Sequence, residues 1–358
     1  MLGDSRNAPV FLRSLLQILY TPTPIVMTVT TEILDRSVST HPIESAIETD
    51  RLGKVYRTGF WLNRKVESLK ECTLQVQRGE TFGLLGLNGA GKTTLLKTLL
   101  GIVKPTAGRG LLLGKPLGDR SIKQRIGYLP ENPYFYDFLT GWELLEYTAG
   151  LFEIPRSIYK QRIPALLELV GLAQSAAKKK QLRQYSKGMV QRVGMAQALI
   201  NDPELVFLDE PMSGLDPLGR KQMREIIISL GDQGKTIFFN SHVLAEVEQI
   251  CNRVGILAQG ELICCGTLAE LLPNDISGAN RYYDVAGRGG NPDVLIRWMP
   301  NIAYDNDSWS GQMHGEPQEF LATLRLLDAD LLSLKQGRAS LEDFFMQQME
   351  LRGIRSSS

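Results

Sequence analysis

The stretch GLNGAGKTT, residues 86–94, most constrains what this chain can fold into. It matches the pattern G-x-x-x-x-G-K-[ST] at Gly86, Gly91, Lys92 and Thr93. TFGLLG before the loop predicts a buried strand, and GKTTLLKTLLG predicts a helix that ends at glycine. The glycines let backbone N–H groups converge on phosphate oxygens, and the helix N-terminus favours the anion. The segment predicts a nucleoside triphosphate site, with Lys92 on the β- and γ-phosphates and the Thr93 hydroxyl on Mg²⁺.

A second segment supports this site. LVFLDE, residues 205–210, is four apolar residues followed by two carboxylates. This pattern predicts a buried strand that ends at the carboxyl edge of a sheet, where ligands collect in open α/β folds. Asp209 is placed to hold Mg²⁺ through water, and Glu210 to orient or deprotonate an attacking water. An isolated acid at a strand end is as often only a solvated boundary, but the phosphate loop favours the chemical interpretation.

The chain has three predicted parts. Residues 1–48 are rich in Ser, Thr and Pro and predict an extension without regular structure. In residues 49–272, short apolar runs alternate with longer amphipathic ones, which is typical of an α/β domain. Two amphipathic helices without a strand between them indicate a helical insert at about 132–190. After a change in composition, residues 273–358 predict a small α+β module and tail.

Composition excludes some functions. The net charge of +1 gives no electrostatic reason to expect nucleic acid as a partner. The four cysteines have no CxxC spacing, and reduced thiols in a cytoplasmic protein explain them most simply. The apolar runs are far shorter than the roughly 20 residues of a transmembrane helix. We therefore expect a globular protein that does not itself span the membrane.

The order of six elements resembles the nucleotide-binding subunit of ABC transporters. They are GLNGAGKTT, a proline-flanked loop at YLPEN, YSKGM, LVFLDEP, SGLD at 213–216 and NSH at 240–242. The resemblance covers roughly residues 49–270. It implies a P-loop NTPase core of the ABC ATPase type, with a helical insert subdomain, that binds ATP and Mg²⁺ and hydrolyses ATP.

The resemblance also implies roles at single positions. Glu210 is the expected catalytic base, and His242 is expected to sense the γ-phosphate and hold the attack geometry. The expected metal ligands are Thr93, Asp209 and Glu131. The expected nucleotide-binding residues are Tyr56, Gly86, Asn88, Gly89, Ala90, Gly91, Lys92, Thr93, Thr94, Glu131, Ser186, Gly188 and Asp216.

Some of these assignments have alternatives. Tyr56 is the expected adenine-stacking ring, with Trp61 as a rival, although either ring can equally belong to the core or a loop. Asp216 is expected at a subunit seam, and it can also form a turn before Pro217. A lone histidine is usually structural, but the place of His242 after the strand FFNS favours the catalytic role.

The sequence departs from the family pattern in two places. Glu131 stands where a glutamine is usual; a carboxylate binds Mg²⁺, but when ionised it donates no hydrogen bond. In YSKGM, Lys187 replaces a glycine and Met189 a glutamine. Ser186 remains a natural helix N-cap, Gly188 still permits close backbone approach, and the Lys187 charge favours a nearby γ-phosphate. We therefore predict a working variant of the signature segment, which we define as residues 185–189.

The resemblance implies partners. Two ATPase subunits, identical or different, are expected to enclose two ATP molecules and to power a separately encoded integral-membrane permease. Residues 132–150 are the candidate permease contact, unless their aromatics form the insert's own core. The ending ASLEDFFM resembles ATPases that pair with ABC-2-type exporters, which predicts export and a peripheral location on the cytoplasmic face of the cell membrane. The alternative is a soluble ABC-type ATPase that regulates or remodels another partner; a P-loop kinase is poorly supported.

Overall fold

The computed structural model describes residues 45–58, 64–272, 282–336 and 340–354. All of them belong to one compact unit, Ile43–Ser358. Most of the predicted N-terminal extension, and Trp61, lie outside the described residues.

The first strand begins before the predicted domain boundary at residue 49. It starts at Ser45, and Ala46 and Ile47 are fully buried. Ile47 pairs with Val76 on one side and with Leu112 on the other. Residues 45–48 therefore belong to the folded domain, because they complete the middle strand of a sheet.

The described strands are, in chain order, β1 (Ser45–Thr58), β2 (Arg64–Gln77), β3 (Thr81–Leu85), β4 (Ala107–Leu112), β5 (Lys115–Pro116), β6 (Ile126–Leu129), β7 (Leu205–Asp209), β8 (Thr236–Asn240), β9 (Arg253–Ala258), β10 (Glu261–Thr267), β11 (Tyr282–Arg288), β12 (Ala303–Asp305), β13 (Ser308–His314) and β14 (Asp330–Gln336). They form three sheets, in the orders β2-β1-β4-β5, β10-β9-β3-β8-β7-β6 and β12-β13-β11-β14.

The described α-helices are, in chain order, α1 (Lys92–Leu99), α2 (Gly141–Leu151), α3 (Arg156–Leu169), α4 (Gln174–Lys179), α5 (Lys187–Ala198), α6 (Pro217–Asp232), α7 (Leu244–Ile250), α8 (Leu268–Leu271), α9 (Pro292–Trp298), α10 (Pro317–Leu326) and α11 (Leu341–Glu350). Among these described helices, none is both long and apolar enough to cross a membrane.

The six-stranded sheet has its two faces covered. Every residue of β3, β7 and β8 is buried, which is why their sequences are largely apolar and do not alternate with polar residues. Val206 and Leu208 enter one hydrophobic cluster, whereas Leu205 and Phe207 enter the cluster on the opposite face. Each such fully buried side chain contributes roughly 1.5–3 kcal/mol. The parallel pairing of β3, β7 and β8 brings their carboxyl ends to one edge.

Strands β9 and β10 form a hairpin that turns at Gln259 and Gly260. Gln259 and Gly260 both have positive φ, at 48° and 86°. Two adjacent residues in the left-handed backbone conformation form a type I′ turn, whose twist matches that of the flanking strands. Ala258 then pairs with Glu261, and β10 is the antiparallel edge of the parallel sheet.

The helical insert contains α2 to α4 and leads into α5. Thr140 caps α2 and forms a capping box with Glu143, which satisfies free N–H groups of its first turn. Buried residues of α2, α3 and α5, such as Leu145, Ile163 and Val193, join the cluster on one face of the central sheet. The insert therefore holds α5 against the central sheet.

The predicted C-terminal module is divided by the structure. Residues 282–336 form a βαββαβ unit whose own core contains Trp309 and Phe320. Helix α11 does not join this core: its buried residues Leu341 and Phe345 belong to the cluster of the larger domain. The sequence predicts one module over residues 273–358, but α11 lies within these boundaries and packs on the larger domain.

Candidate functional site

The loop between β3 and α1 needs glycine at several points. Gly89 and Gly91 have φ values of 81° and 109°, which L side chains rarely adopt. A Cβ on Gly86 would lie 2.3 Å from the Leu257 carbonyl oxygen, and one on Gly91 would lie 2.5 Å from the Ser68 carbonyl oxygen. The glycines therefore allow both the backbone curl and the close packing of the loop on β2 and β9.

Lys92 is buried at the start of α1. Its ammonium donates to the carbonyl oxygens of Gly86 and Leu87, so it lies within the loop. Burial lowers the pKa of Lys92, whereas the carboxylates of Glu210, Asp209 and Glu131 raise it. Lys92 is a cation held among acids at the edge of the sheet, where an anionic phosphate can replace the carbonyl contacts.

Asp209 and Glu210 end strand β7 beside Asn240 of β8. The Asn240 side chain donates to the Asp209 carboxylate at 3.1 Å, and the Glu210 N–H donates to the Asn240 carbonyl at 3.0 Å. Burial raises the pKa of Asp209, and the nearby Glu210 and Glu131 add to this rise. The hydrogen bond from Asn240 and the Lys92 ammonium lower the pKa of Asp209 and so oppose this rise.

Glu210 and His242 lie in direct contact. The His242 Nδ1 atom is 2.8 Å from Glu210 Oε2, and the side chains are 57% and 12% exposed. Glu210 has a φ of 50°, a left-handed conformation that costs free energy for a non-glycine residue and recurs at functional sites. The strained turn after β7 directs the carboxylate to the histidine that follows β8.

These residues share one cavity of about 280 Å³. It is lined by Ser68, Leu87, Asn88, Gly89, Ala90, Gly91, Lys92, Thr93, Thr94, Glu131, Asp209, Glu210 and His242. A larger cavity, of about 520 Å³, lies between β1, β2 and β4 and contains none of the predicted site residues. The smaller cavity is the candidate site because the phosphate loop, the carboxylates at the end of β7 and His242 line it together.

Ser68 is a member of the cavity that the sequence did not indicate. Its hydroxyl is 2.8 Å from the Thr94 hydroxyl, across 26 residues of chain. A serine within the polar strand β2 has no local signal that distinguishes it from its neighbours. Only the packing of β2 on the loop brings it to the site.

Glu131 reaches the cavity from the loop after β6. Its backbone carbonyl accepts a hydrogen bond from the Gln191 amide at 2.9 Å. Gln191 is fully buried on α5, the helix that begins within the signature segment. The loop that carries the predicted metal ligand is thus tied to the signature helix.

The signature segment lies outside this cavity. Ser186 caps α5 as predicted, with its hydroxyl accepting from the Met189 N–H at 3.4 Å. Lys187 lies over Gly214, since a Cβ on that glycine would be 2.3 Å from the Lys187 ammonium. Gly188 faces Leu215. The signature and SGLD segments therefore form one surface.

Two further predicted residues also lie outside the cavity. Asp216 caps α6 and accepts from the Gly219 N–H at 3.1 Å, so it stabilises the helix that Pro217 opens. Tyr56 is half-buried on β1, and the Lys54 ammonium lies 5.0 Å from its ring centroid. Neither residue lines the cavity that contains Lys92.

The donor chemistry fits Mg²⁺. Within the described ranges, no group of three or more His, Cys, Asp and Glu side chains is placed to hold a metal ion alone. Mg²⁺ usually takes one or two carboxylates, with water and substrate phosphates completing its shell. Asp209, Glu131 and the Thr93 hydroxyl supply oxygen donors of this kind in the cavity.

Comparisons with known proteins show the family of this chain. Residues 69–213 match the model of the family described as ABC transporter. The chain is 60% identical over 321 residues to an ABC transporter ATP-binding protein of Nostoc sp., covering 89% of this chain and 94% of that protein. The chain belongs to the ABC transporter ATP-binding proteins.

Two more distant comparisons support the same family. The bacitracin transport ATP-binding protein BcrA of Bacillus licheniformis is 40% identical over 245 residues, which cover 67% of this chain and 74% of that protein. A solved structure of an ATP binding subunit of an ABC transporter is 32% identical, with a TM-score of 0.56, and covers 63% of this chain and 91% of its own. The α/β fold with a P-loop NTPase core is thus shared with this ABC ATP-binding protein.

Proposed function

We propose that this protein hydrolyses ATP to power a separate membrane permease that exports its substrate. The observation that carries the ATPase part is one cavity in which Lys92, Glu210 and His242 meet. The likeness to a bacitracin transport protein supports the transport part and its ABC-2 exporter type. In this proposal the permease is a separate protein, and it determines the substrate.

The loop binds the triphosphate. The backbone of Gly86, Asn88, Gly89, Ala90 and Gly91 surrounds the phosphates, and the free N–H groups of α1 favour their charge. Lys92 exchanges its two carbonyl contacts for phosphate oxygens. Thr93 and Thr94 line the same cavity. Tyr56 stacks on adenine from β1, and Trp61 is the alternative ring.

Thr93, Asp209 and Glu131 would hold Mg²⁺. When bound, the ion neutralises phosphate charge that Lys92 alone does not balance. Glu131 keeps the metal contact of the glutamine that it replaces, but an ionised carboxylate loses the donor role.

Glu210 acts as the base. Its carboxylate takes a proton from, or orients, the water that attacks the γ-phosphate. His242 holds one oxygen of this carboxylate and lies at the mouth of the cavity, more exposed than Glu210. From there it contacts the γ-phosphate and fixes the line of attack.

Two ATPase subunits, identical or different, would form the working unit. Ser186, Gly188 and Asp216 lie outside the cavity of their own chain, so they serve the nucleotide of the facing subunit. The free N–H groups at the start of α5 suit a γ-phosphate.

Gly188→Asp tests this arrangement. A Cβ at Gly188 meets only Leu215, at an ordinary 3.6 Å, so the variant fits the fold. We expect ATPase turnover to fall at least about tenfold, because a carboxylate repels the facing phosphate, with ATP binding to the variant's own cavity unchanged. Ser186→Ala is also expected to lower ATPase turnover without changing ATP binding. Ser186→Thr keeps the helix N-cap hydroxyl and is its control. Equal losses of ATP affinity and turnover would contradict the arrangement.

Exposed aromatics next to the Glu131 loop form the proposed permease contact. Tyr134, Tyr136 and Phe138 are 92%, 66% and 72% exposed. Phe135, which the sequence places with them, packs against the insert core instead. Rings at the centre of an interface carry much of its binding energy. We define the aromatic patch as Tyr134, Tyr136 and Phe138.

Tyr134→Ala with Phe138→Ala tests the aromatic patch and the transport function together. We expect at least about a tenfold lower yield of co-purified membrane protein from native membranes, identified by mass spectrometry. Tyr304→Ala, an exposed tyrosine of the C-terminal module, is the control. A normal yield from the double variant would remove the patch from the interface.

The permease would also determine where the protein lies in the cell. The protein would lie on the cytoplasmic face of the cell membrane, held there by its partner. The alternative is a soluble ATPase that acts on a non-transport partner. Recovery of no membrane protein with the unmodified chain favours this alternative, and steep salt-dependent binding to nucleic acid would identify one such partner.

A further inference from the structure

The last described helix returns to the ATPase core after the C-terminal module. Leu341, Phe345 and Met349 of α11 are four residues apart, so they form one buried stripe. This stripe lies in the same hydrophobic cluster as Val247 and Ile250 of α7. The module itself has a separate core. Helix α11 is thus the part of the C-terminal region that belongs to the ATPase core.

The helix that α11 contacts follows the catalytic histidine directly. Helix α7 starts two residues after His242, has only seven residues and has no side-chain N-cap. A helix this short depends on tertiary packing. Its packing partners include α6, β3 and α11.

A hydrogen bond joins the two helices. The Leu341 N–H, at the first turn of α11, donates to the Glu248 carboxylate of α7. N–H groups at a helix start have no partner within the helix, and the helix dipole favours a carboxylate there. Glu248 therefore fixes the start of α11 to α7.

Helix α7 holds the histidine loop. The Ser241 hydroxyl donates to Glu246 of α7 at 3.3 Å and accepts from the Val243 N–H at 3.0 Å. His242 lies between these two anchored residues and contacts Glu210. When α7 shifts, His242 therefore moves relative to the Glu210 carboxylate.

We propose that α11 braces the histidine loop through Glu248, so that the C-terminal region sets the rate of the hydrolytic step. Glu248 is a positioning residue, because it acts on Glu210 and ATP only through α7 and His242. The link to hydrolysis rests on the proposed ATPase function, whereas the link between α11 and the histidine loop is a property of the fold.

Glu248→Ala in the full-length protein tests the proposal. We expect kcat to fall about fivefold to tenfold with KM for ATP within about twofold, because the loss affects the chemical step and not ATP binding. Glu248→Gln keeps a carbonyl that accepts from Leu341 and is expected to restore kcat. Gln249→Ala, at an exposed position of the same helix, is the matched control.

Hydrogen exchange of residues 241–250 gives a second measurement that needs no hydrolysis. We expect faster amide exchange there in Glu248→Ala, and also in Phe345→Ala, with thermal unfolding used to check that each variant is folded. Unchanged exchange in both folded variants, or equal kcat losses for Glu248→Ala and Glu248→Gln, would overturn the proposal. An unmodified protein without ATPase activity would overturn the proposed function instead, and the exchange result would still decide whether α11 braces the loop.

Discussion

Replacing Lys92 with alanine is expected to reduce ATP turnover at least about a hundredfold. The cavity holds three carboxylates, from Glu131, Asp209 and Glu210, and Lys92 is the cation among them. Without it, the triphosphate meets uncompensated negative charge, and the transition state loses a directed donor. The loss is measured as steady-state phosphate release and as binding of a fluorescent ATP analogue.

The Lys92→Ala protein is expected to remain folded. Burial opposes the charge of Lys92, whereas the carboxylates of Glu210, Asp209 and Glu131 favour it, so thermal unfolding is measured to check that the variant is folded. Lys97→Ala is the matched control, because Lys97 is exposed on the same helix and carries the same charge. Normal turnover in Lys92→Ala, with Lys97→Ala also normal, would show that nucleotide binds elsewhere.

The central sheet could be predicted from the sequence, whereas the place of α11 could not. The segments LVFL and IFF are apolar without alternation, which indicates strands covered on two faces. The stripe of Leu341, Phe345 and Met349 indicates only that one helix face is buried. The partner of that face depends on where the chain returns after an intervening module, and no local pattern contains this information.

The same distinction applies to the site. Asp209 ends β7 and Glu210 follows it, while Lys92 and His242 come after β3 and β8. Their meeting at one sheet edge therefore follows from the parallel topology. Phe135 and Tyr134 are adjacent aromatics with the same local signal, but one packs on the insert and the other is exposed. Side-chain direction in an irregular loop is set by tertiary packing, which the sequence pattern does not specify.

Glu210→Gln is expected to bind ATP but to hydrolyse it at least about a hundredfold more slowly. Glutamine has the same shape, and its carbonyl can accept from His242, so the geometry of the contact at 2.8 Å is retained. The amide has no basicity with which to take a proton from water, and general-base catalysis contributes roughly 10²–10⁴-fold. The substitution also removes one negative charge from the cavity, which favours binding of the anionic nucleotide.

We expect the Glu210→Gln protein to accumulate as an ATP-bound dimer. If hydrolysis is what separates two facing subunits, blocking it with ATP bound keeps them together, and light scattering at saturating Mg-ATP measures the mass. Glu225→Gln, at an exposed glutamate of α6, removes the same charge away from the cavity and is expected to stay active and monomeric. A Glu210→Gln protein that binds Mg-ATP but stays monomeric would exclude a homodimer, and the signature surface of Ser186 and Gly188 would then face a different ATPase subunit.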